Sequence, residues 1–192
     1  AFQAGWTKPV GGDADHLEQL EDIDDTSAAG FVFYTLDPKA EVDPEAEHAE
    51  PAAIRQKVAA LDWVGLDSDL STFTKRYVGQ RVDLEHEAIE LDEESVLRAM
   101  AKYGPSLSHA MAMYRRLAAK GIDCEVEFAV DETDYPTKPA EHIVVVRELQ
   151  RLGMEFVSFA PRFVGRFEKG VEYIGDISEL RRDFQIHAEI AR

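Results

Sequence analysis

The sequence predicts an α/β fold in which parallel strands alternate with helices and form part of a (β/α)8 TIM-type barrel. Short β-prone runs are separated by amphipathic runs, and the first 38 residues follow the order strand, helix, strand. A closed barrel needs about 250 residues, whereas this chain has 192, opens without Met and stops inside an amphipathic run. We therefore expect 1–192 to be a fragment of one barrel catalytic domain, with a small open α/β sheet as the alternative.

The first elements are a buried strand, a helix and a second strand. The first strand is predicted within 9–15, and apolar residues at helical spacing predict a helix over 17–29 that Gly30 ends. Residues 31–36 are mostly aromatic and β-branched, and the Asp-Pro pair at 37–38 ends that strand. This order is the βαβ unit of a parallel sheet.

The interval 39–121 is too long for a simple crossover, so we expect a largely helical insertion there. Its first part, 39–50, is acidic and is predicted to be a solvated loop. The pattern then predicts helices over 51–64 and 68–77, a strand or hairpin over 80–91, and helices over 92–103 and 106–120. Gly104-Pro105 is expected to separate the last two helices.

The alternation of strands and helices then returns. The predicted order is a strand over 122–130, a polar loop, a helix over 140–152, a strand over 154–160, a long loop over 161–176 and a helix over 178–192. Glu141 and His142, in the first turn of one helix, are interpreted as surface residues that favour the helix dipole. Because ligands of parallel α/β folds bind at the carboxyl ends of the strands, we look for a site there.

The composition excludes several classes of partner. A net charge of −17, from 38 acidic against 21 basic residues, argues against nucleic acid and against an anionic membrane surface. No apolar run approaches the length of a transmembrane helix. The single cysteine and the absence of a signal-peptide pattern at the start lead us to expect a cytoplasmic protein.

Asp15 and His16 follow the first predicted strand. A histidine nitrogen and carboxylate oxygens suit a divalent metal ion, and an adjacent carboxylate can act as a base. The alternative is that both residues cap the next helix. In the strand over 122–130, Glu125 and Glu127 share one face while the apolar residues share the other. Two carboxylates on one strand face indicate a functional site or, alternatively, a solvated edge strand.

The loop over 161–170 combines glycines, phenylalanines and charges. Arg162, Arg166 and Lys169 could bind the carboxylate of a substrate, and Glu168 could be a metal ligand. A charged surface loop is the alternative.

Several segments resemble the tagaturonate epimerase family. They are Gly-Asp-Ala-Asp-His-Leu at 12–17, Glu-Asp-Ile-Asp at 21–24, Ala-Ala-Gly-Phe-Val-Phe-Tyr-Thr-Leu-Asp-Pro at 28–38, Lys-Tyr-Gly at 102–104, Val-Asp-Glu-Thr-Asp-Tyr-Pro-Thr at 130–137 and Ala-Pro-Arg-Phe-Val-Gly-Arg-Phe-Glu-Lys-Gly-Val-Glu-Tyr-Ile-Gly-Asp at 160–176. The resemblance implies a metal-dependent barrel enzyme that interconverts tagaturonate and fructuronate in hexuronate breakdown. It implies Asp15 as proton acceptor, His16 as metal ligand and an acidic proton donor, for which we favour Glu127 over Glu125.

The implied substrate is a ketouronate, and the implied cofactor is a divalent metal ion. Because the epimerised carbon is β to both the ketone and the carboxylate, we expect a retro-aldol and re-aldol route. Another metal-dependent sugar isomerase or aldolase on the same barrel, or a non-catalytic α/β module, are the alternatives. Open sheet edges in a partial barrel favour association, so a homo-oligomer is compatible with the sequence.

Overall fold

The structure is a computed structural model that describes residues 2–8, 11–168 and 170–192. The strands are β1 (Asp13–Leu17), β2 (Phe33–Leu36), β3 (Gln80–Asp83), β4 (Ala88–Leu91), β5 (Glu125–Ala129) and β6 (Ser158–Ala160). The α-helices are α1 (Leu20–Ala28), α2 (Pro51–Ala59), α3 (Leu70–Tyr77), α4 (Glu93–Ala118), α5 (Pro139–Arg151) and α6 (Ile177–Ile190). None of these helices is both long enough and apolar enough to cross a membrane.

A four-stranded parallel sheet organises the described part of the chain. Its strand order is β1-β2-β5-β6, and Thr35 of β2 lies opposite Glu127 of β5, which lies opposite Ser158 of β6. The predicted parallel α/β class is therefore confirmed. The alternative of an edge strand for β5 is wrong, because β2 and β6 pair with its two sides. Closure into a barrel stays a prediction.

The start of the sheet differs from the prediction. β1 begins at Asp13, where pairing with Phe33 begins, and extends to Leu17, so the helix starts later than predicted. Part of the predicted strand, Pro9 and Val10, lies outside the described residues. The carboxylate of Asp22, three residues beyond the helix N-cap, accepts a hydrogen bond from the N-cap backbone amide, at 2.8 Å. The interpretation of Asp15 and His16 as helix caps is therefore wrong.

The hydrophobic core lies on one face of the sheet. Tyr34 and Leu36 of β2, with Val126 and Phe128 of β5, are almost fully buried and belong to one cluster with the apolar residues of α4 and α5. Alternate residues of a strand point to opposite faces. The other face consequently carries polar side chains, and burial of the apolar face fixes which residues these are.

The helix over Gly104-Pro105 is not broken. α4 runs through both residues, so the predicted separation into two helices is wrong. Proline cannot donate to the carbonyl four residues earlier, here that of Ala101. Two other carbonyls of the same turn accept hydrogen bonds from outside the regular helical pattern. The hydroxyl of Ser106 donates to the carbonyl of Tyr103 at 2.7 Å, and the backbone amide of Asp43 donates to the carbonyl of Lys102 at 2.9 Å.

The acidic segment 39–50 is more ordered than a solvated loop. It contains two short 3-10 helices, Lys39–Glu41 and Pro44–Glu47, and the side chain of Ala46 is fully buried. The guanidinium of Arg98 donates to the carbonyl of Ala46 at 2.6 Å. Contacts with α4 therefore order this segment, which its own composition does not predict.

The interval 39–121 contributes to the main body of the fold. Its hairpin is confirmed, because β3 and β4 pair antiparallel. α2 ends at Ala59, earlier than predicted, where the indole of Trp63 donates to the carbonyl of Val58 at 2.9 Å. α4 packs against α1, α2, α5 and β2, so it forms part of the helical layer over the sheet. The boundaries of an insertion over 39–121 stay a prediction.

Two buried histidines join α5 to α6. The rings of His142 and His187 stack with centroids 5.0 Å apart, and their Nδ1 atoms are 2.7 Å apart. One ring must donate and the other accept, which favours two neutral imidazoles. Burial and the neighbouring His187 hold the pKa of His142 well below its usual range. The interpretation of Glu141 and His142 as surface residues is wrong, because both are 2 % exposed and α6 and the ring of Phe159 pack against His142.

The histidine pair predicts a loss of stability in mild acid. Below the ordinary histidine pKa of 6.5, His142 is protonated in the unfolded chain but stays neutral in the folded protein. The unfolded state therefore binds more protons, and the free energy of unfolding falls as pH falls. The slope approaches about 1.4 kcal/mol per pH unit for one proton. Urea unfolding between about pH 7 and about pH 5 measures it. His142→Gln should flatten the slope, and the exposed His48→Gln should not. Equal slopes in all three proteins would contradict the prediction.

Candidate functional site

The carboxyl end of β1 carries Asp15 and His16 on an irregular backbone. The register with β2 shifts between Ala14 and Leu17, and His16 has a φ of 52°. An extra residue in a strand changes the direction of a side chain, and a left-handed conformation is costly for a residue other than glycine. Beyond the irregularity, the amide of Asp37 donates to the carbonyl of Leu17 at 2.8 Å, so the pairing of the two strands continues.

His16 is bound to a buried carboxylate at the end of β2. Its Nδ1 lies 2.8 Å from Oδ2 of Asp37, whose side chain is 0 % exposed. On the other side of the ring, Nε2 lies 3.7 Å from Oδ1 of Asp15 and 3.8 Å from Oε1 of Glu132. The three strand ends therefore bring one imidazole and three carboxylates together.

Lys39 provides a positive charge beside these acids. Its ammonium lies 2.7 Å from Glu132, 2.9 Å from Glu18 and 3.4 Å from Asp37. The hydrogen bonds to Glu132 and Glu18 raise the pKa of Lys39. Burial lowers the pKa of His16, but the hydrogen bond to Asp37 and the charges of Asp15, Glu132 and Asp37 outweigh it, so the net shift is upward.

Two carboxylate oxygens at this edge are buried without a partner. Among the described residues, no donor reaches Oδ1 of Asp37 or Oδ1 of Asp131. Burial also raises the pKa of Asp131. Buried carboxylate oxygens are normally satisfied, so this edge has unused capacity for a cation or a donor.

A cleft of about 860 Å³ opens beside these residues. Its polar wall contains Asp15, His16, Asp131, Glu132, Arg162 and Glu168. Its apolar wall contains Phe159, Phe163, Phe167 and Phe184. A volume of this size accommodates a small ligand, and convergent polar groups with an apolar wall are typical of ligand sites.

The structure brings only some of the predicted substrate and metal residues of the 161–170 loop to the cleft. Arg162 and Glu168 line the cleft with Asp15 and His16. Arg166 is exposed, and its backbone forms an antiparallel bridge with Ile174. Lys169 lies outside the described residues. The structure therefore brings two of these four residues to the acidic strand ends.

Glu127 lies on the polar face of the sheet, in the middle of β5. Its Oε1 lies 3.3 Å from Oγ1 of Thr35, and its Oε2 accepts a hydrogen bond from Ser158. The same hydroxyl of Thr35 donates to Oδ2 of Asp13 at 3.0 Å. Glu125, at the start of β5, is exposed. Glu127 thus belongs to a polar row that crosses all four strands.

Contacts from α4 and from Arg162 hold the 131–138 loop in place. The ammonium of Lys102 donates to the carbonyl of Pro136 at 3.3 Å, and the hydroxyls of Tyr103 and Thr137 are 3.2 Å apart. Thr137 and Arg162 exchange two hydrogen bonds, of 2.7 and 3.1 Å. α4 therefore positions both the loop and the backbone of Arg162.

The sequence places Asp37 and Glu132 among the acids at the strand ends but assigns them no role, and it does not single out Lys39. Asp37 and Glu132 do follow buried strands, which is the available signal in the sequence. The contact between Asp37 and His16 depends on the backbone of β1, which a pattern of residue types does not reveal.

The fold and the cleft define a parallel α/β protein with an acidic, histidine-containing cleft at the carboxyl edge of its sheet. The chain belongs to the tagaturonate epimerase family, whose model matches residues 1–192. The predicted resemblance is therefore confirmed.

Two relatives are similar to this chain over nearly its whole length and over 38% of their own. The tagaturonate/fructuronate epimerase of Thermotoga maritima is 36% identical over 191 residues, which are 100% of this chain and 38% of that protein. Crystal structures of the fructuronate-tagaturonate epimerase UxaE from Cohnella laeviribosi, native and with two glycerols, match 99% of this chain and 38% of theirs. Their TM-scores are 0.87 and 0.88 at 32% identity. The chain thus spans 38% of the length of either relative.

The polar row predicts how Asp13 titrates. Burial and the charges of Asp15 and Glu127 raise the pKa of Asp13, while the hydroxyl of Thr35 opposes the rise. Thr35→Val should therefore raise this pKa further, because the ionised carboxylate loses its donor. An NMR titration of the Asp13 carboxyl carbon measures the shift. Ser158→Ala, which removes a donor to Glu127 only, is the matched control; a pKa that stays or falls in Thr35→Val would contradict the prediction.

Proposed function

We propose that the full-length protein interconverts tagaturonate and fructuronate in hexuronate breakdown, as a metal-dependent cytoplasmic enzyme. One observation carries the proposal: the family match over residues 1–192 coincides with a cleft that has Asp15 and His16 at the carboxyl edge of the sheet. Both relatives are named for this reaction. A carboxylate and an imidazole in this position suit cation-assisted acid–base chemistry.

The sheet forms part of a (β/α)8 barrel in this proposal. Its strands are all parallel, one face packs on helices, and the other face carries the polar row of Asp13, Thr35, Glu127 and Ser158. A face of this kind suits the interior of a barrel, whose inward-pointing side chains are covered by the remaining strands.

His16 would hold the divalent metal ion through Nε2, with Glu132 and Glu168 as oxygen ligands. The atoms fit such an ion, since Nε2 of His16 and Oε1 of Glu132 are 3.8 Å apart and Oδ1 of Asp131, in the wall of the same cleft, is buried without a donor among the described residues. An imidazole with carboxylates suits zinc, manganese or a similar ion. A bound ion would supply Lewis acidity that polarises the ketone of the substrate.

Asp15 acts as the base in the proposed reaction. It takes the proton of the hydroxyl on the epimerised carbon, the O–H electron pair becomes a carbonyl bond, and the neighbouring carbon–carbon bond breaks toward the ketone. An aldehyde and an enediolate result. After the aldehyde turns, the enediolate attacks its opposite face, and Glu127 gives a proton to the new hydroxyl oxygen.

Arg162 holds the carboxylate of the substrate, with Arg166 and Lys169 as further cationic residues. Arg162 lines the cleft, its Nε is buried without an acceptor among the described residues, and its backbone is fixed by Thr137. Arginine binds a carboxylate through two parallel hydrogen bonds. Two basic residues of the same loop would add long-range attraction for an anionic substrate.

The proposal predicts metal-dependent epimerase activity of the full-length protein. Tagaturonate should convert to fructuronate, chelation should abolish the reaction, and a divalent ion should restore it, because the ketone is not otherwise polarised. His16→Ala should lose bound metal and activity, and the exposed Arg81→Ala should keep both. Faster turnover of the neutral ketoses tagatose and fructose than of the ketouronates would support the alternative of another metal-dependent sugar isomerase. Absence of bound metal in the wild type would support the non-catalytic module.

The route predicts that the epimerised carbon keeps its own hydrogen. In a retro-aldol reaction this hydrogen stays on the aldehyde carbon, so a reaction in D2O should give a product without deuterium at that position. Proton NMR and mass spectrometry of the product measure this. Deuterium at the epimerised carbon would replace the route with direct abstraction of the C–H proton, and the family assignment would stand.

A further inference from the structure

Asp37 has no role in the reaction proposed above, yet it is the most deeply buried acid at the site. Its side chain is 0 % exposed at the end of β2. Its Oδ2 contacts two cationic or titratable groups, Nδ1 of His16 at 2.8 Å and the ammonium of Lys39 at 3.4 Å. Burial of a carboxylate costs free energy unless the group is paired and hydrogen-bonded. The contacts of Asp37 with His16 and Lys39 therefore offset the cost of its burial, and its effect falls on these two residues.

The hydrogen bond determines which nitrogen of His16 carries the proton. An ionised carboxylate only accepts, so Nδ1 must donate to Asp37. A neutral imidazole then has its lone pair on Nε2. This atom faces the acids of the cleft, with Oδ1 of Asp15 at 3.7 Å and Oε1 of Glu132 at 3.8 Å. Asp37 contacts Nδ1, the other ring nitrogen, so its hydrogen bond acts on the imidazole and leaves the lone pair of Nε2 available to an ion.

The backbone fixes both partners of this hydrogen bond. His16 occupies the irregular position of β1, with a φ of 52° that turns its side chain out of the regular alternation. Its neighbour Leu17 accepts the backbone hydrogen bond from Asp37 itself, at 2.8 Å. The two side chains therefore meet beside a backbone hydrogen bond that joins β1 to β2. The ring of His16 cannot turn without losing its contact with Asp37.

We propose that Asp37 is a positioning residue that holds His16 with its proton on Nδ1 and its Nε2 lone pair directed at a divalent cation in the cleft. The cation rests on the function proposed above; the orientation of the imidazole does not. Acidic partners of this type orient metal-binding histidines and raise their basicity.

Two variants of the full-length protein test the proposal. Asp37→Ala removes the acceptor, and Asp37→Asn keeps an acceptor oxygen but removes the charge. Mn²⁺ binding is measured by the EPR signal of the free ion. The protonated nitrogen of His16 is read from ¹⁵N NMR of metal-free protein labelled in histidine, with His16→Gln identifying the signal. Glu148→Gln is the matched control, because Glu148 is another carboxylate that is 0 % exposed, bound to Arg76 on α3 and remote in sequence from His16.

We expect the dissociation constant for Mn²⁺ to rise about 10- to 100-fold in Asp37→Ala, and the His16 proton to leave Nδ1. Asp37→Asn should bind Mn²⁺ with intermediate strength and keep the proton on Nδ1. Glu148→Gln should match the wild type in both measurements. Unchanged Mn²⁺ binding and an unchanged His16 signal in Asp37→Ala would overturn the proposal; if that variant does not fold, Mn²⁺ binding as tight as wild type in Asp37→Asn would do so.

The two proposals fail in different ways. A wild-type protein that binds no Mn²⁺, Zn²⁺ or Co²⁺ would remove the metal from the proposed function. The NMR comparison would still decide the inference, because the position of the His16 proton is read without metal. Tight metal binding in the wild type together with normal binding in both Asp37 variants would leave the function intact and remove the positioning role.

Discussion

The buried ammonium of Lys102 is the interaction on which the arrangement of helices and loops around the site depends. It is 1 % exposed and lies 3.0 Å from Glu47 and 3.1 Å from Glu141. A buried charge is tolerated only when its partners stay in place, because loss of one partner leaves an uncompensated charge in a medium of low dielectric constant. Lys102 thereby joins α4 to α5 and to the 3-10 turn before α2. The same ammonium also reaches the loop at Pro136.

The loop carries that constraint to the cleft. Thr137 is hydrogen-bonded to Tyr103 on one side and to the backbone of Arg162 on the other. The backbone position of an arginine in the cleft wall is therefore determined by α4 through Thr137. His16 is held differently, by a strand irregularity and a buried carboxylate. Each half of the site is thus supported by contacts outside the cleft, as precise orientation of functional groups requires.

One face of the sheet carries a row of polar side chains, and the chain matches only part of its relatives' length. The relatives extend over more than twice the length that this chain matches, with 38% of each covered. Asp13, Thr35, Glu127 and Ser158 form a hydrogen-bonded row on the face opposite the core. The row extends from the exposed Asp13 through the buried Thr35 to the half-buried Glu127 and Ser158. Hydrogen-bonded polar groups of this kind are compatible with a face that other strands cover, because their hydrogen bonds limit the cost of burial.

The sequence by itself determined the parallel α/β class and most of the order of the elements, because hydrophobic period and turn residues are local signals. The family followed from the resemblance of several segments to the tagaturonate epimerase family. The sequence also placed Asp15, His16 and Arg162 at strand ends. Only the tertiary structure decided that α4 continues through Pro105, where the carbonyl of Lys102 accepts a hydrogen bond from Asp43 of another segment. It likewise decided that His142 is buried and that Asp37 meets His16. These features depend on partners distant in the chain, which residue patterns do not specify.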